Sequence, residues 1–218
     1  MKVCGIDEAG RGAVIGPMVI AGVLVDQERI EELVKIKVRD SKKLSPGVRM
    51  ELSKIIREIA EKVEVIVLDA STVDRSTKKK GSSGLNELEA KMFAKIIDAL
   101  KPDAAYIDLP STKYDEFRKL IENLTNHRCS LILEHKADEK YPIVSAASII
   151  AKCERDRLIE ELKAKLGDFG SGYPSDPKTR NFLLEMLKTG NINSEYVRSS
   201  WKTLSKVAQR KLDEFAQE

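Results

Sequence analysis

Two acids stand side by side in Val3-Cys4-Gly5-Ile6-Asp7-Glu8-Ala9-Gly10-Arg11-Gly12, at the end of a short apolar run and just ahead of a Gly-Arg-Gly turn. Side chains alternate faces along a strand, so neighbouring carboxylates at a strand end are costly to bury unless something neutralises them. A divalent cation does so, because it lets clustered carboxylates stay ionised together. Asp108 closes a second short apolar run, Ala104-Ala105-Tyr106-Ile107, and Asp138 follows a third, Ser130 to Glu134. Asp7, Glu8, Asp108 and Asp138 thus make an oxygen-only ligand set, with His135 the one imidazole near them in sequence. Such a set prefers Mg2+ or Mn2+ to zinc. Taken singly, an acid at a strand end is most often a cap or a surface residue. Adjacent acids flanked by glycines, with two more acids after later strands, favour the metal reading.

Other chemistries lack their residues. Only His127 and His135 are present, and no Ser or Cys sits in a recognisable elbow, which argues against a nucleophile-based hydrolase. Gly10-Arg11-Gly12 lacks the spacings of a P-loop or a dinucleotide fingerprint. It is also a poor helix opening, whereas its glycines would let backbone amides approach a ligand closely.

The elements that must position these acids read as follows. Pro17 to Val25 is β-branched and apolar and forms a hairpin with the opening strand. Asp40-Ser41-Lys42-Lys43-Leu44 is a polar loop, and Ser45 then Pro46 gives the N-cap and first turn of a helix running to about Lys62. Val63 to Leu68 is a strand, and Lys78 to Gly84 is a basic loop, either solvated or facing nucleic acid. Leu85 to Leu100 is a helix, Ala104 to Asp108 a strand, Tyr114 to Leu124 a helix and Ser130 to Glu134 a strand. A long helix spans Pro142 to Leu166, with Ser145-Ala146-Ala147-Ser148 offering small residues where its start packs on a sheet. A turn-rich loop from Gly167 leads to a further helix. Strands alternating with helices after an initial hairpin predict an α/β, mixed-sheet fold with helices on both faces.

At 218 residues the chain suits one sizeable domain with a small helical appendage. We expect a catalytic domain over 1–166 and, over 167–218, a loop and helices packed on it that contribute to substrate binding. The formal charge of +3 is too weak to establish a nucleic-acid partner, so its distribution matters more. Lys35, Lys37, Arg39, Lys42, Lys43, Arg49, Lys54 and Arg57 face only Asp40 and Glu51 in that stretch, a candidate phosphate-facing patch. Cys4, Cys129 and Cys153 are odd in number and widely spaced, which predicts reduced, buried thiols rather than disulfides or a zinc site. No apolar stretch approaches membrane-spanning length, and the acids come almost at once after Met1, so neither signal peptide nor anchor is expected and the cytoplasm is the expected location.

Several motifs together resemble a known family. They are Asp7 to Gly12, Asp40-Ser41-Lys42-Lys43-Leu44, Leu85-Asn86-Glu87, the strand ending at Asp108, His135-Lys136-Ala137-Asp138, Ala146 to Lys152, and Gly172-Tyr173. In that order, over essentially the whole chain, they are similar to ribonuclease HII of the archaeal type. The resemblance implies an RNase H-like fold, with a mixed five-stranded sheet flanked by helices and a C-terminal helical extension. It implies that Asp7, Glu8, Asp108 and Asp138 are catalytic and hold two Mg2+ or Mn2+ ions. It implies that the backbone of Gly10, Arg11 and Gly12, with Tyr173, reads the ribose 2′-hydroxyl, the group that separates RNA from DNA. Lys42, Lys43 and Asn86 match positions that hold the substrate backbone. Ala13 departs from the family, where many relatives carry proline, and this is expected to leave the turn less pre-organised.

The activity so implied is endonucleolytic hydrolysis of the RNA strand of RNA–DNA hybrids, with cuts 5′ of ribonucleotides embedded in duplex DNA. One ion would activate water and the other stabilise the leaving oxygen, giving 3′-hydroxyl and 5′-phosphate ends. Ribonucleotide excision and primer removal are the expected roles, and a monomer the expected state. A related nuclease such as a junction resolvase, or a hybrid-binding module, would differ in substrate choice and in metal-dependent turnover. In the tail, Gln209, Leu212 and Phe215 fit the Gln-x-x-Leu-x-x-aromatic spacing of peptides that dock on sliding clamps, though Ala216 stands where a second aromatic is usual. Leu204, Ala208, Leu212 and Phe215 also form a helical stripe, so the tail reads equally as a packed helix.

Overall fold

The structure is a computed structural model that describes residues 1–38, 44–78, 84–111, 113–202 and 204. Strand β1 (Lys2–Ala9) pairs antiparallel with β2 (Met18–Asp26), in a register from Lys2 opposite Asp26 to Ala9 opposite Val19. The predicted hairpin is present, joined through residues 10–17. A 3₁₀ turn and a short helix α1 (Ile30–Lys35) follow, then α2 (Pro46–Ile59) and β3 (Lys62–Leu68). Next come α3 (Ala70–Lys78), α4 (Leu85–Leu100), β4 (Ala104–Asp108), α5 (Tyr114–Leu124) and β5 (Ser130–Glu134). The chain then runs through α6 (Ala137–Lys140), α7 (Pro142–Leu166) and α8 (Pro177–Thr189).

The sheet has five strands in the order β3-β2-β1-β4-β5. It is mixed, since β1 and β2 are antiparallel while β1 and β4, and β4 and β5, are parallel. Parallel neighbours need a crossover, which α4 and α5 provide. Where glycine removes a side chain, helices come close to the sheet. A Cβ at Gly22 would lie 2.3 Å from the Ile96 side chain of α4, and one at Gly5 would lie 2.1 Å from the carbonyl oxygen of Ile143, in the first turn of α7. Gly22 is paired with Ile6, next to Gly5 on β1, so the two glycines open opposite faces and the sheet is covered on both.

Four local outcomes differ from the sequence reading. Helix α2 starts as expected, with the Ser45 hydroxyl accepting from Val48 N, but it ends at Ile59 because Ala60 is extended and Lys62 already enters β3. Helix α3 was unforeseen. Its residues are mostly poor helix formers, yet Asp69 caps it by accepting from Thr72 N at 2.6 Å. The short α1 and α6 were also unforeseen, being too brief to show a period. The three thiols are free as expected, but only Cys4 is fully buried, with Cys129 and Cys153 half-buried.

The chain divides into two compact units, one of residues 1–9, 19–67 and 85–156, the other of 10–18, 68–84 and 157–218. The first holds the sheet and a core that includes Ile6, Val23, Phe93, Ile96 and Phe117, with the two phenylalanine rings edge to face at 5.8 Å. In the second, Val14, Ile15, Ile159, Phe169, Leu183 and Val197 form a separate apolar cluster. No helix among the described residues is long and apolar enough to cross a membrane.

Candidate active site

The face of the sheet beneath α7 collects the acids. Ile6 pairs with Ile107, so one residue further along these parallel strands Asp7 comes beside Asp108, and Asp108 in turn pairs with Glu134. Alternation puts Gly5, Asp7, Tyr106, Asp108 and Glu134 on that one face. The start of α7 sits directly on Gly5, and Ser145, Ala146, Ala147 and Ser148 are fully buried there. The small residues predicted to permit a close approach do so.

Asp7 is 4% exposed. Burial pushes its carboxyl up to about 7, and the neighbouring charge of Asp108 pushes the same way. A hydrogen bond from Ser148, the Glu8 N–H at 2.7 Å and the charge of Lys152 oppose the rise. Lys152 Nζ also donates to Ser148 Oγ at 2.7 Å, one helical turn apart, so lysine, serine and aspartate form a chain that ends on the carboxylate.

Asp138 arrives by a different route. Lys136 takes the left-handed conformation at φ 57°, a turn that costs a non-glycine residue about 1–2 kcal/mol. The turn aims Ala137 N at Asp108 Oδ1, 2.7 Å away, and so places Asp138 next to that contact at 5% exposure. The Ser145 hydroxyl donates to the Asp138 carbonyl and ties α6 to α7. Glu8, half-buried, lies on the opposite face of β1 from Asp7 by alternation.

Of the four predicted carboxylates, Asp7 and Asp108 are therefore direct neighbours, Asp138 joins them through the Ala137 amide, and Glu8 stands across the strand. Among the described residues no three His, Cys, Asp or Glu side chains are grouped closely enough to hold a metal ion as they stand. The donor chemistry nonetheless fits a hard divalent cation. The acids offer oxygen alone, and a carboxyl raised by burial and, to a lesser degree, by its acidic neighbour is what a dication would return to the ionised form. His135 Nδ1 lies 3.0 Å from the Leu109 carbonyl oxygen, in hydrogen-bond reach.

Sequence reasoning gave Ser148 and Lys152 no task, although an i, i+4 Ser and Lys on a helix that starts with small residues was the available signal. Glu134, at the end of β5, shares this face. Its carboxylate is taken by Lys140 and by the Tyr141 hydroxyl, which hold it below the ordinary carboxylate range.

The glycine turn is ordered by its own unit. Gly10, at φ 83°, donates its N–H to the Tyr173 hydroxyl at 3.1 Å, and Tyr173 is also the nearest neighbour a side chain at Gly12 would meet. Ala13 N donates to the Gly10 carbonyl at 3.2 Å. Proline at this position could not make that bond, so alanine lets the turn close by hydrogen bonding. Val14 N and Ile15 N both donate to the carbonyl of Gly172, at 2.8 and 3.1 Å. Asn86 donates to Ser111 Oγ at 3.1 Å, tethering the loop after Asp108. Lys42, Lys43, Gln209, Leu212 and Phe215 lie outside the described residues.

A family model described as ribonuclease HII matches residues 4–204. A ribonuclease HII of Archaeoglobus fulgidus is 48% identical over 211 residues, covering 97% of this chain and 98% of that protein. The crystal structure of ribonuclease H2 from Pyrococcus horikoshii OT3 superposes with a TM-score of 0.86 at 44% identity, covering 96% of this chain and 98% of that one. The structure of a PCNA:RNase HII complex from Archaeoglobus fulgidus gives 0.83 at 48% identity, over 92% and 95% of the two chains.

Proposed function

Because the chain belongs to the ribonuclease HII family, endonucleases that cut the RNA strand of RNA–DNA hybrids, we propose that it also cuts 5′ of ribonucleotides embedded in duplex DNA, leaving 3′-hydroxyl and 5′-phosphate ends. The observation that carries this reading is the neighbouring pair of buried Asp7 and half-buried Asp108 on the face beneath α7, with Asp7 pushed up to about 7 by burial and by its partner. Asp7, Glu8, Asp108 and Asp138 would hold Mg2+ or Mn2+. Bound there, two such ions would supply Lewis-acid activation for attack by water and charge neutralisation for the leaving group.

The chain's own residues do the rest. Ser148, backed by Lys152, orients Asp7 and favours its ionised form, and the Ala137 amide fixes Asp108. The backbone of Gly10, Arg11 and Gly12, with the Tyr173 hydroxyl, recognises the ribose 2′-hydroxyl. Asn86, Lys42 and Lys43 would bind phosphates of the substrate backbone. Attack by the 2′-hydroxyl itself would need a general acid and base pair, and the chain offers only two histidines.

The Archaeoglobus relative is solved with PCNA, and the spacing of Gln209, Leu212 and Phe215 supports a sliding clamp as a partner here, which would suit ribonucleotide excision and primer removal. Asp7→Asn and Asp138→Asn test the carboxylate assignment. Each should cut activity by more than the ~100-fold typical of losing an outer partner of a metal ligand, with the fold intact by circular dichroism. Full activity in either variant would remove that carboxylate from the mechanism.

A further inference from the structure

Arg198 is 0% exposed and is the largest fully buried side chain among the described residues. A guanidinium inside a protein is expensive unless its donors are used, and an apolar side chain of similar volume is often at least as stabilising. Its bonds therefore indicate what it is for. Nη1 donates to the carbonyl of Arg11 at 2.9 Å and Nη2 to the carbonyl of Gly16 at 3.2 Å. Its own backbone N–H reaches the carbonyl of Val14 at 2.9 Å, and Gly16 N donates to Tyr196 at 2.9 Å. One side chain thus spans the loop from the middle of Gly10-Arg11-Gly12 to its far end.

We propose that Arg198 is a positioning residue for the turn that reads the ribose, and that it acts by orienting the peptide between Arg11 and Gly12. The proposal rests on the assignment of that turn as the sugar reader. In a trans peptide the C=O and the following N–H point in opposite directions. With the Arg11 carbonyl drawn inward onto a buried guanidinium, the Gly12 N–H is turned outward, and Gly12 is exposed. An outward amide fixed in direction is what a donor to a sugar oxygen must be.

The arginine is itself held from two sides. The Trp201 ring lies 5.2 Å from its guanidinium carbon. Beyond it, Ser199 Oγ donates to Asp74 Oδ2 at 3.0 Å, and Ser200 donates to Asp74 Oδ1 from its N–H at 2.8 Å and from its hydroxyl. Asp74 is 4% exposed, on α3. A planar fork is needed to grip two carbonyls five residues apart, and a lysine ammonium offers no such fork.

The test compares cleavage of two duplexes by the full-length protein with Mg2+, one carrying a single embedded ribonucleotide and the other a 2′-fluoro analogue at the same place. In Arg198→Lys, folded by circular dichroism at the assay temperature, the ratio of kcat/KM values for the two should fall about tenfold. If both rates fall equally and the ratio stays at the wild-type value, Arg198 is only structural and the proposal fails. Wild-type protein that cuts both duplexes equally well would instead refute the sugar-reading turn itself. Should Arg198→Lys not fold, Asp74→Asn loosens the same segment from its far side, and an unchanged ratio there overturns the proposal.

Discussion

Asp7 is where the chemistry of the site meets the stability of the fold. Its carboxyl would titrate near 3.8 when unfolded and does so at about 7 when folded, so between those values the folded state holds the extra proton. Stability of the metal-free protein should therefore fall as pH rises from about 4 to about 7 and then level off. Thermal midpoints measured in chelator across that range check this, and Asp7→Asn, which cannot ionise, should flatten the slope. A wild-type midpoint unaffected by pH over that window would mean that Asp7 ionises freely. Added Mg2+ should restore most at the upper end, where the carboxylates are charged together. Ser148→Ala removes a donor that favours ionised Asp7, so it should lower activity about 10–100-fold and move the acidic limb of the pH–rate profile upward. A profile unmoved on its acidic side would leave Ser148 a packing residue. The acids were legible because two of them adjoin and the others end or follow apolar runs. Ser148 was not, because a serine among alanines at a helix start reads first as a small residue for packing.

Gly5 shows how the elements set these positions. A methyl group there would meet the backbone of Ile143 and not a yielding side-chain end, so α7 would have to move. Gly5→Ala should cost about 1–3 kcal/mol, a drop of roughly 2–4 °C in midpoint per kcal/mol for a chain of this size. It should also reduce cleavage, since Ser148 and Lys152 travel with the helix. Loss of stability without loss of activity would show that the helix can shift without disturbing Asp7. Strands and long helices could be read from their apolar periods, and Ser45-Pro46 marked the start of α2. The left-handed turn at Lys136 could not, because nothing in a lysine's chemistry announces a positive φ. Helix α3 was hidden for the reason that its stability comes from the Asp69 cap and not from propensity.

At the scale of the whole chain, the acids and the glycine turn are consecutive in sequence yet belong to different compact units, the boundary falling between Ala9 and Gly10. Sequence order alone could not reveal that the turn is braced by residues as distant as Gly172 and Arg198. For the tail, Phe215→Ala should weaken binding to a sliding clamp by about 2 kcal/mol, roughly thirtyfold, if it is a docking anchor. A fall in thermal stability, in a protein with no clamp affinity to begin with, would mark it as a core residue. The proposed function is metal-dependent cleavage on the 5′ side of a ribonucleotide. The most direct measurement incubates the protein with a duplex carrying one embedded ribonucleotide and with its all-DNA twin, each with Mg2+ and with chelator, and identifies the product ends. The account predicts one metal-dependent cut on the 5′ side of the ribonucleotide, leaving a 3′-hydroxyl and a 5′-phosphate, and no cut in the twin. Cleavage of the all-DNA duplex, or cutting that persists in chelator, would contradict it.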